Sequence, residues 1–126
     1  MISDLGLSEN IDLVGFKDDI PNELCKINYV LMTSKEEGLN TSILDAFASK
    51  TPVICTNAGG MPELVENENT GMLAPIGDYQ ALGDAILKLE SDKNLRDTII
   101  ENAFKKVKSF SIQRMCEQYK TLYSSI

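Results

Sequence analysis

The sequence contains no histidine, and this absence excludes several kinds of chemistry at once. Serine–histidine and cysteine–histidine catalysis both need an imidazole base, and most zinc sites use histidine ligands. Cysteine is also scarce. The chain has only Cys25, Cys55 and Cys116, which are odd in number and widely spaced. That pattern predicts reduced thiols in the protein core and no disulfide framework. We therefore expect no metal site.

Positive charge is in short supply, since 12 Lys and Arg residues face 19 Asp and Glu residues for a net charge of −7. Such a chain repels a polyanion at long range, so we predict no nucleic-acid partner, although backbone amides could still build a local anion site. The sequence has no apolar run of about 18 residues or more, and its start lacks the basic and apolar regions of a signal peptide. These absences favour a cytoplasmic location.

What is present is ordinary for a globular protein, with 126 residues, 43% hydrophobic residues and 25% charged residues. A chain of this size can bury roughly two-thirds of its unfolded surface, which supports one core. Short apolar runs at residues 12–16, 27–33, 52–56 and 72–74 predict strands. Helical patterns at 20–25 and 39–49, and a short helix with Pro62 in its first turn, lie between them. Strands that alternate with helices predict an α/β fold with a parallel sheet.

The remaining residues predict a helical C-terminal region, with Asp78 and Ser111 as helix N-caps. Apolar residues recur there at helical spacing in three stripes, which we interpret as core. Their members are Leu82, Ala85, Ile86 and Leu89; Leu95, Ile99, Ile100, Ala103, Phe104 and Val107; and Ile112, Met115, Cys116, Tyr119, Leu122 and Tyr123.

The loop at residues 34–42 lies between a predicted strand and its helix, at the edge where open α/β sheets bind ligands. Gly38 would permit a close backbone approach or a positive φ. The amides that follow it would be the unpaired donors of a helix N-terminus, which is a ready anion site. These residues are Leu39, Asn40, Thr41 and Ser42.

Two acids flank those amides, Glu37 just before the helix and Asp45 about one turn inside it. Their carboxylates could accept hydrogen bonds from vicinal hydroxyls of a sugar while the amides hold a phosphate. Alternatively, Glu37 only complements the helix dipole and Asp45 is a solvated helix residue. The spacing alone leaves both interpretations open.

A second loop places Gly59 and Gly60 ahead of the short helix predicted around Pro62. The two glycines would allow a ligand to approach closely, but an ordinary tight strand-to-helix turn would need them as well. The sequence has neither the G-x-G-x-x-G pattern of dinucleotide-binding folds nor a P-loop.

An ordered set of motifs runs along the chain: V-G-F (14–16), S-K-E-E-G (34–38), T-P-V-I-C-T (51–56), G-G-M-P-E (59–63), N-T-G-M-L (69–73), G-D (77–78) and F-S (110–111). From Ile11 to Tyr123 the chain resembles the C-terminal domain of family 4 glycosyltransferases, which are retaining enzymes of the GT-B fold that use nucleotide sugars. The resemblance implies a Rossmann-like parallel sheet with flanking helices, and a hexose transferred from a nucleoside diphosphate sugar. It implies no cofactor.

The family's hallmark is a pair of glutamates separated by seven residues, which falls on Glu37 and Asp45. The resemblance implies that Glu37 is catalytic and contacts the donor sugar and phosphate, while Asp45 binds the ribose hydroxyls. Residues 38–42 with Gly59 and Gly60 complete the implied donor site. Asp45 is one methylene shorter than the family's glutamate, and Lys50 and Thr51 stand where the family often has glycine.

We expect residues 1–126 to form one partial domain, and the resemblance implies that an N-terminal acceptor domain and the first two βα units are absent. We therefore expect that this chain does not transfer sugar alone, and that the parent protein associates with a membrane surface. Loss of two strands would leave the strand at 12–16 without a neighbour. Leu13 and Val14 would then pair with the strand around Val30 or with another chain, which predicts either a rearranged sheet edge or a homodimer.

Two other functions fit the same pattern. One is a non-catalytic module that binds nucleotide sugars or supports assembly, and the other is a sugar-nucleotide epimerase of GT-B architecture. A glycoside hydrolase built on Glu37 and Asp45 would also have two carboxylates, but the α/β order and the helix-borne acid disfavour it.

Overall fold

The computed structural model describes all 126 residues, and its centre is a parallel sheet of three strands. The strands are β1 (Val30–Met32), β2 (Val53–Thr56) and β3 (Met72–Ala74), and they lie side by side in that order. Val30 is level with Val53 in the first pair, and Ile54 is level with Met72 in the second. The predicted α/β class is confirmed, although β1 is shorter than the run at 27–33 that predicted it.

The helices alternate with the strands in the first part of the chain and follow one another in the last part. They are α1 (Ile20–Leu24), α2 (Thr41–Ala48), α3 (Met61–Leu64), α4 (Tyr79–Ser91), α5 (Lys93–Val107) and α6 (Ile112–Ser124), with a 3-10 turn (Lys108–Phe110) before α6. The side chains of Asp78 and Ser111 accept from the amides of Ala81 and Arg114, which confirms both predicted N-caps. None of the helices combines the length and apolar character needed to cross a bilayer.

The core lies on both faces of β2, whose four residues are all buried. Alternate side chains of a strand point to opposite faces, so Val53 and Cys55 pack with α2 and α3 while Ile54 packs with α4. The first two predicted stripes contribute to this core, for example through Leu89 and Ile99. The sheet thus lies between helix layers, and its strand ends position the loops that follow them.

The prediction of a strand at residues 12–16 is wrong. This segment forms no strand, and Leu13 and Phe16 are 85% and 88% exposed. An apolar run becomes a strand only when another strand accepts its backbone hydrogen bonds, and β1 pairs with β2 alone. The predicted pairing of Leu13 and Val14 with the strand around Val30 is therefore also wrong, whereas pairing with another chain stays a prediction.

The third apolar stripe is not core either, because no residue of α6 is buried. The helix follows the 3-10 turn after Ser111, and its apolar side, including the stacked rings of Tyr119 and Tyr123, is exposed to solvent. Helical spacing predicted the helix correctly but could not predict what would cover it. Two of the three cysteines share this outcome, since Cys25 and Cys116 are exposed and only Cys55 is in the core.

Candidate functional site

Two loops meet at the carboxyl-terminal edge of the sheet. The first leaves β1 and leads into α2, and the second leaves β2 and leads into α3. The amide of Gly60 donates to the carbonyl oxygen of Glu37 at 3.4 Å, so the backbones of the two loops are in direct contact. Because the strands are parallel, both loops open toward the same side of the sheet, as ligand-binding loops of α/β folds do.

The tandem glycine makes this contact possible. A Cβ atom on Gly59 would collide with the carbonyl oxygen of Glu37, and one on Gly60 would stand 2.8 Å from the carbonyl oxygen of Gly38. Gly59 also has a φ of +51°, in the left-handed region. The glycines thus allow one loop to pack closely against the other. The sequence by itself indicates only the approach of a ligand or a tight turn for these two residues.

Gly38 differs from them. Its φ is not positive, and a Cβ atom there would meet nothing within 4 Å. Of the two roles predicted for Gly38, the positive φ is therefore wrong. The other role, a close approach of a ligand to the backbone, stays a prediction. The space beside Gly38 is open, and Gly38 directly follows Glu37, whose side chain is half-buried.

The Glu37 carboxylate is held by two neighbouring side chains. Ser34 Oγ and Asn40 Nδ2 both donate to Glu37 Oε1, each at 3.1 Å. The other oxygen, Oε2, accepts no hydrogen bond from the protein. One oxygen therefore fixes the orientation of the carboxylate, while the second is free to accept a hydrogen bond from a ligand.

The N-terminus of α2 lies immediately after this carboxylate. Asn40 is the N-cap, and its Oδ1 accepts from the amide of Ser42 at 3.0 Å. The Ser42 amide is therefore already bonded, and its predicted role as a donor to a bound anion is not supported by the geometry. The amides without an acceptor in the protein belong to Gly38, Leu39, Asn40 and Thr41.

Asp45 lies one turn inside α2 and is exposed. Its carboxylate forms no hydrogen bond or ion pair within the chain, while its carbonyl accepts from the amide of Ser49. The structure thus leaves this carboxylate accessible on the helix that begins at the candidate site.

Ser34 and Thr56, to which the sequence analysis gave no individual role, hold the site in place through hydrogen bonds. Thr56, at the end of β2, is buried, and its hydroxyl donates to the carbonyl oxygen of Ser34. Ser34 in turn donates to Glu37, so a continuous chain of hydrogen bonds joins the core of the sheet to the candidate carboxylate. A serine three residues before an acid only weakly predicts a hydrogen bond between the two side chains. The sequence does not predict the bond of Thr56, because its partner Ser34 is distant in sequence.

Cavities of the chain do not coincide with this site. The largest, of about 390 Å³, lies at the opposite edge of the sheet beside Tyr29, Glu90 and Arg96. Burial and a hydrogen bond to Glu90 raise the pKa of Tyr29 there, which keeps the phenol protonated as a donor. A cavity of about 350 Å³ lies at the carboxyl ends of β2 and β3, next to Asn57. No group of three or more acidic or cysteine side chains is placed to hold a metal ion.

Comparison with known proteins shows the family to which the chain belongs. The model of the family described as glycosyl transferases group 1 matches residues 1–106. The chain belongs to this family. It is 27% identical to the N-acetyl-alpha-D-glucosaminyl L-malate synthase of Bacillus anthracis, over 100% of this chain and 33% of that protein. It is 31% identical to the UDP-Gal:alpha-D-GlcNAc-diphosphoundecaprenol alpha-1,3-galactosyltransferase of Escherichia coli, over 96% of this chain and 31% of that protein.

A solved structure extends the comparison to the fold. Anabaena Alr3699/HepE, crystallised in complex with UDP and glucose, matches with a TM-score of 0.90 and 31% identity, over 99% of this chain and 35% of that one. The predicted resemblance to a GT-B glycosyltransferase is thereby confirmed. This group 1 glycosyltransferase chain spans about a third of the length of the relatives that it matches.

Proposed function

We propose that this chain is the donor-binding part of a retaining hexosyltransferase that uses a nucleoside diphosphate sugar. The observation that carries the proposal is the Glu37 carboxylate, held through Oε1 with Oε2 free, beside the unbonded amides of residues 38–41. Amides at a helix N-terminus favour phosphate oxygens, and a carboxylate favours sugar hydroxyls. A nucleotide sugar presents both groups next to each other.

In this proposal each group has a separate role. The amides of Gly38 to Thr41 bind the diphosphate and stabilise the charge that develops on it when the glycosidic bond breaks. Glu37 contacts the donor sugar, and Asp45 accepts from the ribose hydroxyls. The donor diphosphate itself helps to accept the acceptor's proton, as in the family that the chain resembles, so this half of the enzyme needs no histidine. The UDP and glucose bound to the Anabaena protein support a uridine nucleotide as the first ligand to test.

The remaining expectations about the whole protein belong to the same proposal. An acceptor domain and further βα units elsewhere in the parent would complete the active site, and this chain alone would bind donor without transferring it. Cytoplasmic location, association of the parent with a membrane surface and a homodimer of this chain stay predictions from the sequence.

Isothermal titration calorimetry with UDP, UDP-glucose, GDP and GDP-mannose tests the proposal directly. We expect one of these nucleotide sugars to bind, and Glu37→Gln to weaken its binding about tenfold by removing a charge-assisted hydrogen bond. Glu36→Gln is the matched control, because Glu36 is the adjacent exposed acid with no hydrogen-bond partner in the chain. Equal affinities for the two variants would make Glu37 structural, and no binding of any nucleotide sugar would overturn the proposal.

Chromatography of radiolabelled UDP-glucose after incubation with this chain, without an acceptor, separates the alternatives. We expect binding without turnover from this chain. Steady hydrolysis by the chain alone would contradict the expectation that the rest of the parent completes the site, and formation of an isomeric nucleotide sugar would favour the epimerase.

A further inference from the structure

We propose that Asn40 is a positioning residue for Glu37, which turns the carboxylate so that Oε2 faces the donor sugar. This inference rests on the proposed function, because it assigns a partner to the acid proposed to contact the donor. It concerns the Asn40 side chain, whereas only the backbone amide of Asn40 has so far been given a role.

Both ends of the Asn40 side chain are bonded, and in different directions. Oδ1 accepts from the Ser42 amide at 3.0 Å, and Nδ2 donates to Glu37 Oε1 at 3.1 Å. Turning the amide over would oppose Oδ1 to a carboxylate oxygen and Nδ2 to an N–H group, so that both bonds would become repulsive. The two bonds therefore fix a single orientation of the amide and, through it, the orientation of the carboxylate.

A helix cap alone does not require this arrangement. Serine, aspartate and asparagine are about equally good N-caps, because the cap needs only a side-chain oxygen. The additional bond to Glu37 needs an N–H donor beyond the capping oxygen, and asparagine provides both groups on one short side chain. The capping of α2 therefore does not explain the hydrogen bond from Asn40 to Glu37.

The bonds of Asn40 also couple the two halves of the proposed donor site. One side chain sets where α2 begins, which places the free amides of Gly38 to Thr41, and it sets the direction of the Glu37 carboxylate. Ser34 adds a second donor to the same Oε1. Loss of the Asn40 donor should therefore disturb the contact with the sugar while leaving the amides that bind the diphosphate in place.

Asn40→Ser tests this separation, because serine keeps the capping oxygen and is too short to bridge Ser42 and Glu37. We expect a melting temperature close to that of the unchanged protein and UDP binding within about twofold, while UDP-glucose binding weakens about tenfold. A matched control is Asp78→Ser, the same kind of cap exchange at α4, where the cap bonds only the Ala81 amide. That variant should leave the affinity for UDP-glucose relative to UDP unchanged.

A second measurement needs no ligand. In the free protein, the ¹³C signal of the Glu37 side-chain carboxyl should shift in Asn40→Ser and in Ser34→Ala, and stay in place in Asp78→Ser. If Asn40→Ser fails to fold, Asn40→Asp takes its place in both measurements, because aspartate keeps the capping oxygen but lacks the Nδ2 donor to Glu37. An unmoved carboxyl signal, or equal weakening of UDP and UDP-glucose, would overturn the positioning role. If the unchanged protein binds no nucleotide sugar while the carboxyl signal does shift, the proposed function fails and the orientation of Glu37 by Asn40 stands.

Discussion

The backbone carbonyl oxygen of Glu37 occupies the position that a Cβ atom on Gly59 would need. The loop after β2 is thus pressed against the loop after β1, and the Gly60 amide donates to the same oxygen. Side-chain bonds from Ser34 and Asn40 hold the other end of Glu37. Backbone and carboxylate are therefore fixed independently, which is the condition for a preorganised binding group.

Gly59→Ala should destabilise the protein by roughly 2–4 kcal/mol, because the methyl group meets a backbone carbonyl and the residue would keep a left-handed conformation. Unfolding in urea, followed by circular dichroism, measures the loss. Gly38→Ala is the matched control, since its methyl group would enter open space at a φ that is not positive. It should be as stable as the unchanged protein but bind UDP-glucose more weakly, because the methyl group covers the proposed phosphate amides. A stable Gly59→Ala variant would contradict the loop contact.

The cysteines should react in two classes. Cys25 and Cys116 are exposed, and Cys55 lies in the centre of the core. Thiolates are the reactive species, and burial raises the pKa of Cys55 to about 12. Brief treatment of the native protein with iodoacetamide should therefore label Cys25 and Cys116, and peptide mass spectrometry should find Cys55 labelled only after denaturation. Rapid labelling of Cys55 in the native protein would show that β2 opens readily.

The same thiol should make stability depend on pH in alkaline solution. Its pKa is about 12 in the folded protein against an ordinary value of 9.0. Above the lower value the unfolded chain loses a proton that the folded chain keeps, so stability is full below pH 9.0 and falls as the pH rises toward 12. The loss is at most about 1.4 kcal/mol per pH unit for one thiol. Urea unfolding near pH 8 and near pH 10 should show it in the unchanged protein and show a smaller difference in Cys55→Ala. Identical pH slopes for the two proteins would exclude the thiol as the cause.

How much of this structure the sequence could predict depends on how local each interaction is. The N-caps Asp78 and Ser111 bond within their own helices, and both were predicted correctly. The segment at 12–16 and the apolar side of α6 depend on partners that periodicity does not contain, and both predictions of burial were wrong. A strand needs a neighbour for its backbone, and a helix stripe needs a surface to cover it.

The candidate site divides in the same way. The spacing of Glu37, the helix N-terminus and Asp45 was visible in the sequence, because all three lie in one short segment. The contact between Gly59 and Glu37 and the bond from Thr56 to Ser34 join residues about 20 apart in sequence, and only the folded sheet brings them together.

Lys50 departs from the family's sequence at a position whose backbone conformation favours glycine. It stands where the family often has glycine, and it adopts a φ of +57° just after α2. Its side chain is bonded to Glu101 at 2.9 Å, which anchors it on α5.

Thr56→Val tests whether the hydrogen-bond chain from the core to Glu37 matters for binding. Valine fills nearly the same volume but cannot donate to the Ser34 carbonyl oxygen, so a part-buried acceptor loses its partner and stability should fall by about 1–2 kcal/mol. Thr51→Val is the matched control, because the buried Thr51 hydroxyl donates in the same way to the Leu24 carbonyl oxygen, at 2.9 Å. Thr51 lies just before β2, at the end of the strand opposite to Thr56. Both variants should lose similar stability in urea unfolding. Only Thr56→Val should also weaken UDP-glucose binding, because Ser34 is then free to move and its bond to Glu37 is strained or lost. Equal affinities for the two variants would mean that Ser34 is held by its own loop, and that the sheet does not position the carboxylate.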